Sequence, residues 1–232
     1  MTNPSHVPAH VPAPGPRFNF AQHLLSRNER HPDRAAYVDD HGRLSYGELA
    51  DRSRRLAAAL LAAGVRREER VLLLMHDNND WPVCFLGALY AGVVPVAVNT
   101  LLGADDYAFM LAHSRAQAVL VSAALLPVLQ AAMAQGGHEV KAVVVSRPAA
   151  GLEGGALALQ DFIAAQPPLA QAAATGPDDP GFWLYSSGST GRPKGTLHSQ
   201  ANPYWTAELY GTAVLGLSEH DVCFSAAKLR CV

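Results

Sequence analysis

At 232 residues, with 49% hydrophobic and 16% charged side chains, the chain can bury a sizeable core and is not an intrinsically disordered protein. Its formal net charge of −2 gives no electrostatic basis for binding nucleic acid or an anionic membrane surface. Cys84, Cys223 and Cys231 are odd in number and lack C-x-x-C spacing, and the histidines show no H-E-x-x-H pattern, so neither a disulfide framework nor a metal site is expected, and a reducing cytoplasm fits.

Residues 1–17 contain Pro4, Pro8, Pro12, Pro14 and Pro16 but no basic start and no apolar segment, which predicts a disordered proline-rich tail rather than a signal peptide. Residues 18–232 are expected to form one partial domain. Ser45-Tyr46-Gly47-Glu48 has the S-x-x-E form of a capping box, and Leu49, Leu56 and Leu60 then recur on one helical face until Gly64 stops it. Residues 70–75 read as a strand buried on both faces, 79–91 as a helix and 93–98 as a second buried strand, a βαβ unit. The pattern continues with a helix at 104–113, a strand at 118–122, a helix at 123–135 and a strand at 141–145. From 146 to 180 periodicity fades into Gly and Pro apart from a helix near 159–166, a surface excursion that leads back to a strand at 181–185. The longest apolar stretch, 56–65, is about half of a membrane span. The alternation predicts an α/β architecture of layered, largely parallel sheets flanked by helices. Strands as apolar as 71–75 and 181–185 need cover on both faces, and part of that cover is expected from sequence beyond this chain, which would leave the chain sticky.

The segment Ser186-Ser187-Gly188-Ser189-Thr190-Gly191-Arg192-Pro193-Lys194-Gly195 combines glycines, hydroxyls and one lysine directly after an aromatic strand. Glycines let backbone N–H groups converge on an anion, hydroxyls donate further hydrogen bonds, and Lys194 supplies a point charge, so the composition suits a polyphosphate loop. It is not a Walker A loop, because Pro193 precedes the lysine and Gly195 follows it. The Gly188, Gly191, Gly195 spacing also fails the G-x-G-x-x-G dinucleotide fingerprint. On composition alone a Ser/Gly-rich linker remains open.

These ten residues match [ST]-S-G-[ST]-T-G-x-P-K-G, and the chain thereby resembles the adenylate-forming superfamily. Residues 182–229 look most like benzoate-CoA ligases and related aryl-CoA ligases, and 42–49 and 87–96 resemble the N-terminal region of the same superfamily. The resemblance implies an incomplete N-terminal domain of the adenylate-forming fold, ending after the phosphate loop and without the C-terminal domain. It further implies that Ser186, Ser187, Gly188, Ser189, Thr190, Gly191 and Lys194 bind the phosphates of ATP, that Pro193 and Gly195 shape the loop, and that Arg192 faces solvent. ATP with Mg2+, CoA and an aromatic carboxylate would be its small-molecule partners, with no nucleic acid or membrane. Because the superfamily's acid pocket and catalytic lysine lie beyond the phosphate loop, the chain is expected to be inactive alone. A non-catalytic truncated product, or a ligase for a fatty, hydroxybenzoic or amino acid, remains an alternative. His198, Asn202, Tyr204 and Trp205 are expected to pack on a helix, and in the strand-end segment 75–80, Asn79 or Asp80 is expected to cap a helix rather than bind a ligand.

Overall fold

Val71, Leu72, Leu73 and Leu74 are all buried, yet alternate side chains belong to different cores, as the two-residue period of a strand requires. That strand is central to the computed structural model, which describes residues 11–149, 151–186, 192–224 and 229. The described strands are β1 (Ala35–Asp39), β2 (Gly42–Ser45), β3 (Arg70–Leu74), β4 (Val94–Ala97), β5 (Ala118–Ser122), β6 (Ala142–Ser146), β7 (Leu157–Ala158), β8 (Pro180–Ser186) and β9 (Lys194–Ser199). The helices are α1 (Phe20–Arg27), α2 (Tyr46–Ala62), α3 (Asp80–Tyr90), α4 (Ala104–Ser114), α5 (Leu126–Met133), α6 (Leu159–Ala164) and α7 (Asn202–Thr206).

Strands β1 and β2 form a separate antiparallel pair, and the other seven form one sheet in the order β7-β6-β5-β3-β4-β8-β9. All neighbours in that sheet are parallel except β8 and β9. Val71, Leu73, Ala97, Leu120 and Val144 pack with Leu25 of α1, Leu49, Leu56 and Leu60 of α2, Val83 and Leu86 of α3 and Phe162 of α6. On the opposite face Leu72, Leu74, Val96, Val119, Val121 and Val145 pack with Tyr107, Met110 and Leu111 of α4 and Leu129 of α5. The result is the expected α/β layering.

The two-sided cover corrects one expectation. No apolar face of β3 waits for sequence outside the chain, because α2, α3 and α6 close one side and α4 and α5 the other. Exposed apolar side chains are found elsewhere, singly at Val38, Leu101 and Leu197 and as a group between 209 and 224, where Leu209, Tyr210, Val214, Leu215 and Phe224 are each at least half exposed.

Local chemistry explains the helix ends. Ser45 Oγ accepts from the Glu48 amide at 3.2 Å and Glu48 Oε2 accepts from the Ser45 amide at 2.7 Å, a complete capping box that starts α2. Gly64, at φ +80°, follows its end. The single helix expected at 123–135 is a 3₁₀ turn, Ala123–Leu125, followed by α5, with a proline in the first turn of α5. At the start of α3, Asn79 holds the N-cap position as expected, but its side chain makes no capping bond. Asn78, not Asn79 or Asp80, receives the Asp80 and Trp81 amides on its Oδ1 at 2.9 and 3.2 Å, because the Asn79 amide and side chain are turned to Asp39 and Gly42.

Helices α2 and α3 meet at Gly87, where an added Cβ would lie 2.7 Å from Leu56 Cδ2 and 2.8 Å from the Ser53 carbonyl oxygen. Alanine would raise helix propensity by about 1 kcal/mol, but overpacking against a backbone atom costs about 1–3 kcal/mol, so the clash wins. Gly87→Ala is expected to lower the urea unfolding midpoint at unchanged m-value; an equal or higher midpoint would show that the helices can part without cost.

Candidate active site at the β8–β9 hairpin

Strand β8 joins the sheet beside β4, with Trp183 opposite Val96 and Leu184 opposite Ala97, and then continues through Tyr185 and Ser186. Strand β9 returns antiparallel, pairing Lys194 with Ser186, Gly195 with Tyr185 and Thr196 with Leu184. Two of the predicted phosphate ligands, Ser186 and Lys194, therefore face each other where the connecting segment begins and ends. This end of the hairpin lies at the carboxyl ends of the parallel strands, where open α/β sheets hold their ligands. The other predicted ligands, Ser187, Gly188, Ser189, Thr190 and Gly191, lie outside the described residues.

Because a strand stands on each side of the segment, neither flank offers the N-terminus of a helix to an anion. Lys194 is exposed, and among the described residues no carboxylate pairs with it. Pro193 immediately precedes β9. Gly195 lies within β9 at a φ outside the left-handed region, and an added Cβ would meet Trp183 Cε3, Tyr185 Cε1 and His113 Cε1 at 3.5, 3.6 and 3.7 Å, ordinary van der Waals contact. Its place is against three aromatic rings.

Those rings belong to a layer that sequence reasoning missed. His113 Nδ1 and Tyr185 Oη are 2.7 Å apart, a hydrogen bond whose donor depends on the imidazole tautomer. Burial pushes the Tyr185 phenol up to about 12, so it stays neutral at physiological pH. One turn earlier on α4, Phe109 stacks on His113 with ring centroids 5.3 Å apart, and the Arg192 guanidinium lies 5.5 Å from the Phe109 ring centre. Arg192 is exposed, as expected. The available signal was a Phe and a His four residues apart, which share a helix face.

The aromatic cluster that follows fills space rather than forming a catalytic set. His198 lies on β9 and not on a helix, because the antiparallel ladder carries it opposite Phe182, on whose ring it stacks at 4.6 Å. Asn202 Oδ1 accepts from the Ser199 amide at 2.8 Å and turns the chain into α7. Tyr204 packs edge-on against Phe18, His23 and Trp205, and its hydroxyl donates to the Pro12 carbonyl at 2.7 Å.

A sequence-family model described as AMP-binding enzyme matches residues 24–232. The chain belongs to the AMP-binding enzyme family. It is 43% identical over 228 residues to a benzoate–CoA ligase of Thauera aromatica, a match covering 97% of this chain and 42% of the relative. A crystal structure of a benzoate CoA ligase from Burkholderia xenovorans superposes with a TM-score of 0.83 at 51% identity, covering 92% of this chain and 41% of that one. An anthranilate CoA ligase in complex with anthranoyl-AMP superposes with a TM-score of 0.88 at 31% identity over 94% of this chain and 41% of that one. The chain thus spans about two fifths of the length of these relatives.

A second polar cluster in this AMP-binding enzyme is a brace. The Asp80 side chain is 2% exposed; its Oδ1 accepts from Arg52 Nη2 at 2.6 Å, and its Oδ2 accepts from Ser146 Oγ at 2.6 Å and Arg147 Nε at 3.3 Å. Arg147 Nη2 also reaches Asp39 Oδ2 at 2.7 Å, so one network ties β1, α2, α3 and the end of β6 together. Each carboxylate is paired, which is what makes burial of the charge tolerable. Cys84, on the same helix as Asp80, has its thiol pushed well above the usual range by burial and then by the Asp80 charge, so it stays protonated.

Burial pushes the Asp39 carboxyl upward, but hydrogen bonds from the Asn79 amide, the Arg147 guanidinium and the His41 amide, together with the Arg147 charge, outweigh it and hold the pKa at about 2. A depressed folded-state pKa contributes stability above the ordinary value of 3.8 that is lost as the pH falls through about 2. Asp39→Asn is therefore expected to be less stable than the parent at pH 7, with the gap closing between about pH 4 and pH 2. A gap that stays constant over that range would remove Asp39 from the brace.

Proposed function

We propose that this AMP-binding enzyme supplies the N-terminal, ATP-phosphate-binding portion of an AMP-forming aryl-CoA ligase of the benzoate–CoA ligase type. The observation that carries the reading is the Ser186–Lys194 pair, which frames a segment rich in glycine and hydroxyls at the carboxyl end of the sheet. Support for an aromatic acid comes from the relatives, which act on benzoate and anthranilate according to their names.

In this reading a carboxylate oxygen of the acid attacks the α-phosphorus of ATP, the bond to the bridging oxygen breaks, and pyrophosphate leaves an acyl-adenylate behind. The CoA thiolate then attacks the acyl carbonyl and AMP departs as the thioester forms. This chain's part is to hold the β- and γ-phosphates. The Ser186 hydroxyl and the hydroxyls and N–H groups of 187–191 donate to phosphate oxygens, and the Lys194 ammonium offsets the charge that gathers on the leaving pyrophosphate. Mg2+ bound with ATP would supply further charge neutralisation to the phosphates that Ser186 and Lys194 would hold. Among the described residues no helix is long and apolar enough to cross a membrane, and the free thiols of Cys84 and Cys223 suit a cytoplasmic location.

The test grafts residues 1–232 in place of the matching part of the Thauera aromatica ligase and measures benzoate-dependent pyrophosphate release. The graft is expected to be active, whereas the 232-residue chain alone releases no more than a no-protein control. In the graft, Lys194→Ala removes a charge-assisted hydrogen bond worth about 1.5–3 kcal/mol and is expected to slow adenylation by about ten- to a hundredfold. A rate within twofold of the unmutated graft would sink the phosphate role of Lys194.

A further inference from the structure

The hairpin that presents Ser186 and Lys194 extends beyond its own support. Strand β4 pairs with β8 only at Trp183 and Leu184, so Tyr185 and Ser186 run past the ladder, and the β9 residues opposite them are exposed. A two-stranded ribbon projecting from a sheet is free to twist and splay at its tip. Polyphosphate binding needs the opposite, donors held where the anion will sit, since any ordering left until binding reduces affinity.

Tyr185 joins the core on that face of the sheet, and one face of α4 packs against the projecting part. His113 Nδ1 bonds Tyr185 Oη on the strand entering the signature segment, and the His113 ring lies beside Gly195 on the strand leaving it. One turn away, the Phe109 ring lies under the Arg192 guanidinium, on the leaving side, and also stacks on His113. Helix α4 is itself fixed to the sheet by Tyr107, Met110 and Leu111, all at most 1% exposed. Two side chains four residues apart on a rigid helix therefore hold both strands of the hairpin at its mouth. Tyr185 is 8% exposed and its bond to His113 is part-buried, so losing the bond would leave a half-covered hydroxyl without that partner.

We propose that Phe109 and His113 are positioning residues that set the spacing of Tyr185 and Arg192 across the base of the signature hairpin and so preorganise it for polyphosphate. The inference rests on the phosphate reading given above. Neither residue touches the nucleotide; both act through the strands they hold.

The test uses the full 232-residue chain and four variants: His113→Phe, which keeps a stacked ring but loses the nitrogen; Tyr185→Phe, which loses the hydroxyl; the two combined; and His113→Asn, whose amide can stand in for Nδ1. Hydrogen–deuterium exchange is followed in peptides covering 183–196, with a peptide covering β5 as control, and pyrophosphate affinity is measured by calorimetry. Each Phe variant is expected to speed exchange at 183–196 and weaken pyrophosphate binding by about three- to tenfold. The combined variant should be no worse than either alone, because both delete the same bond, and His113→Asn should recover most of the loss. The β5 peptide and the thermal midpoint should stay near those of the parent. Unchanged exchange, additive losses, or an equal rise in exchange at β5 would overturn the proposal. A parent with no measurable affinity for pyrophosphate would overturn the phosphate reading and the positioning role with it, and the exchange data would still decide whether the anchor itself exists.

Discussion

The parallel pairing of β8 with β4 is the constraint on which the candidate site depends. Strand β4 is fully buried, and without β8 it would be an open edge with unpaired backbone groups inside an apolar layer. The chain returns to fill that edge after the excursion between β6 and β8, and the match of Val96 with Trp183 and Ala97 with Leu184 fixes how far the strand runs on beyond it. Two further residues bring Ser186 to the carboxyl end of the sheet. Strand β9 then becomes the edge, and it tolerates water because Lys194, Thr196, His198 and Ser199 are polar. The same hydrogen bonding that closes the sheet thus carries Ser186 and Lys194 to that end of it.

Charge is distributed in two ways that suit two tasks. Around Asp80 every carboxylate meets a guanidinium or a hydroxyl, and the network joins elements far apart in sequence, which gives rigidity with little residual field. At the hairpin, Lys194 has no acidic partner among the described residues and stands in water, where an arriving anion can reach it. Helix α4 contributes apolar anchors to the sheet and the Phe109–His113 pair to the hairpin, so one helix serves both the core and the hairpin.

Most of the central sheet was legible because its strands are short apolar runs separated by amphipathic helices, and the period of each is set by local geometry. The capping box at Ser45 was legible for the same reason, as both of its hydrogen bonds are made within four residues. The signature segment carried the family through residue types alone. What escaped notice depended on distant contacts. The β1–β2 hairpin is only partly buried and is tied down at Asp39 by Arg147, which lies far along the chain. Asn78, Asn79 and Asp80 can each cap a helix, and the choice of Asn78 follows from Asp39 and Gly42 engaging Asn79. Part of the cover of β3 was expected from outside the chain, yet Leu159, Phe162 and Ile163 of the helix expected near 159–166 help to complete it. His113 gave no sign of its role, because its partner Tyr185 is brought near only when β8 takes its place beside β4.

The central claim is that the mouth of the β8–β9 hairpin is an anion site built around Lys194, and differential acylation of lysines in the intact chain tests it most directly. Lys141 is also exposed and precedes β6, which makes it an internal control. With pyrophosphate at about ten times its Kd, acylation of Lys194 is predicted to slow by about tenfold while Lys141 reacts at its original rate. Equal rates for Lys194 with and without pyrophosphate, or equal protection of both lysines, would contradict the account.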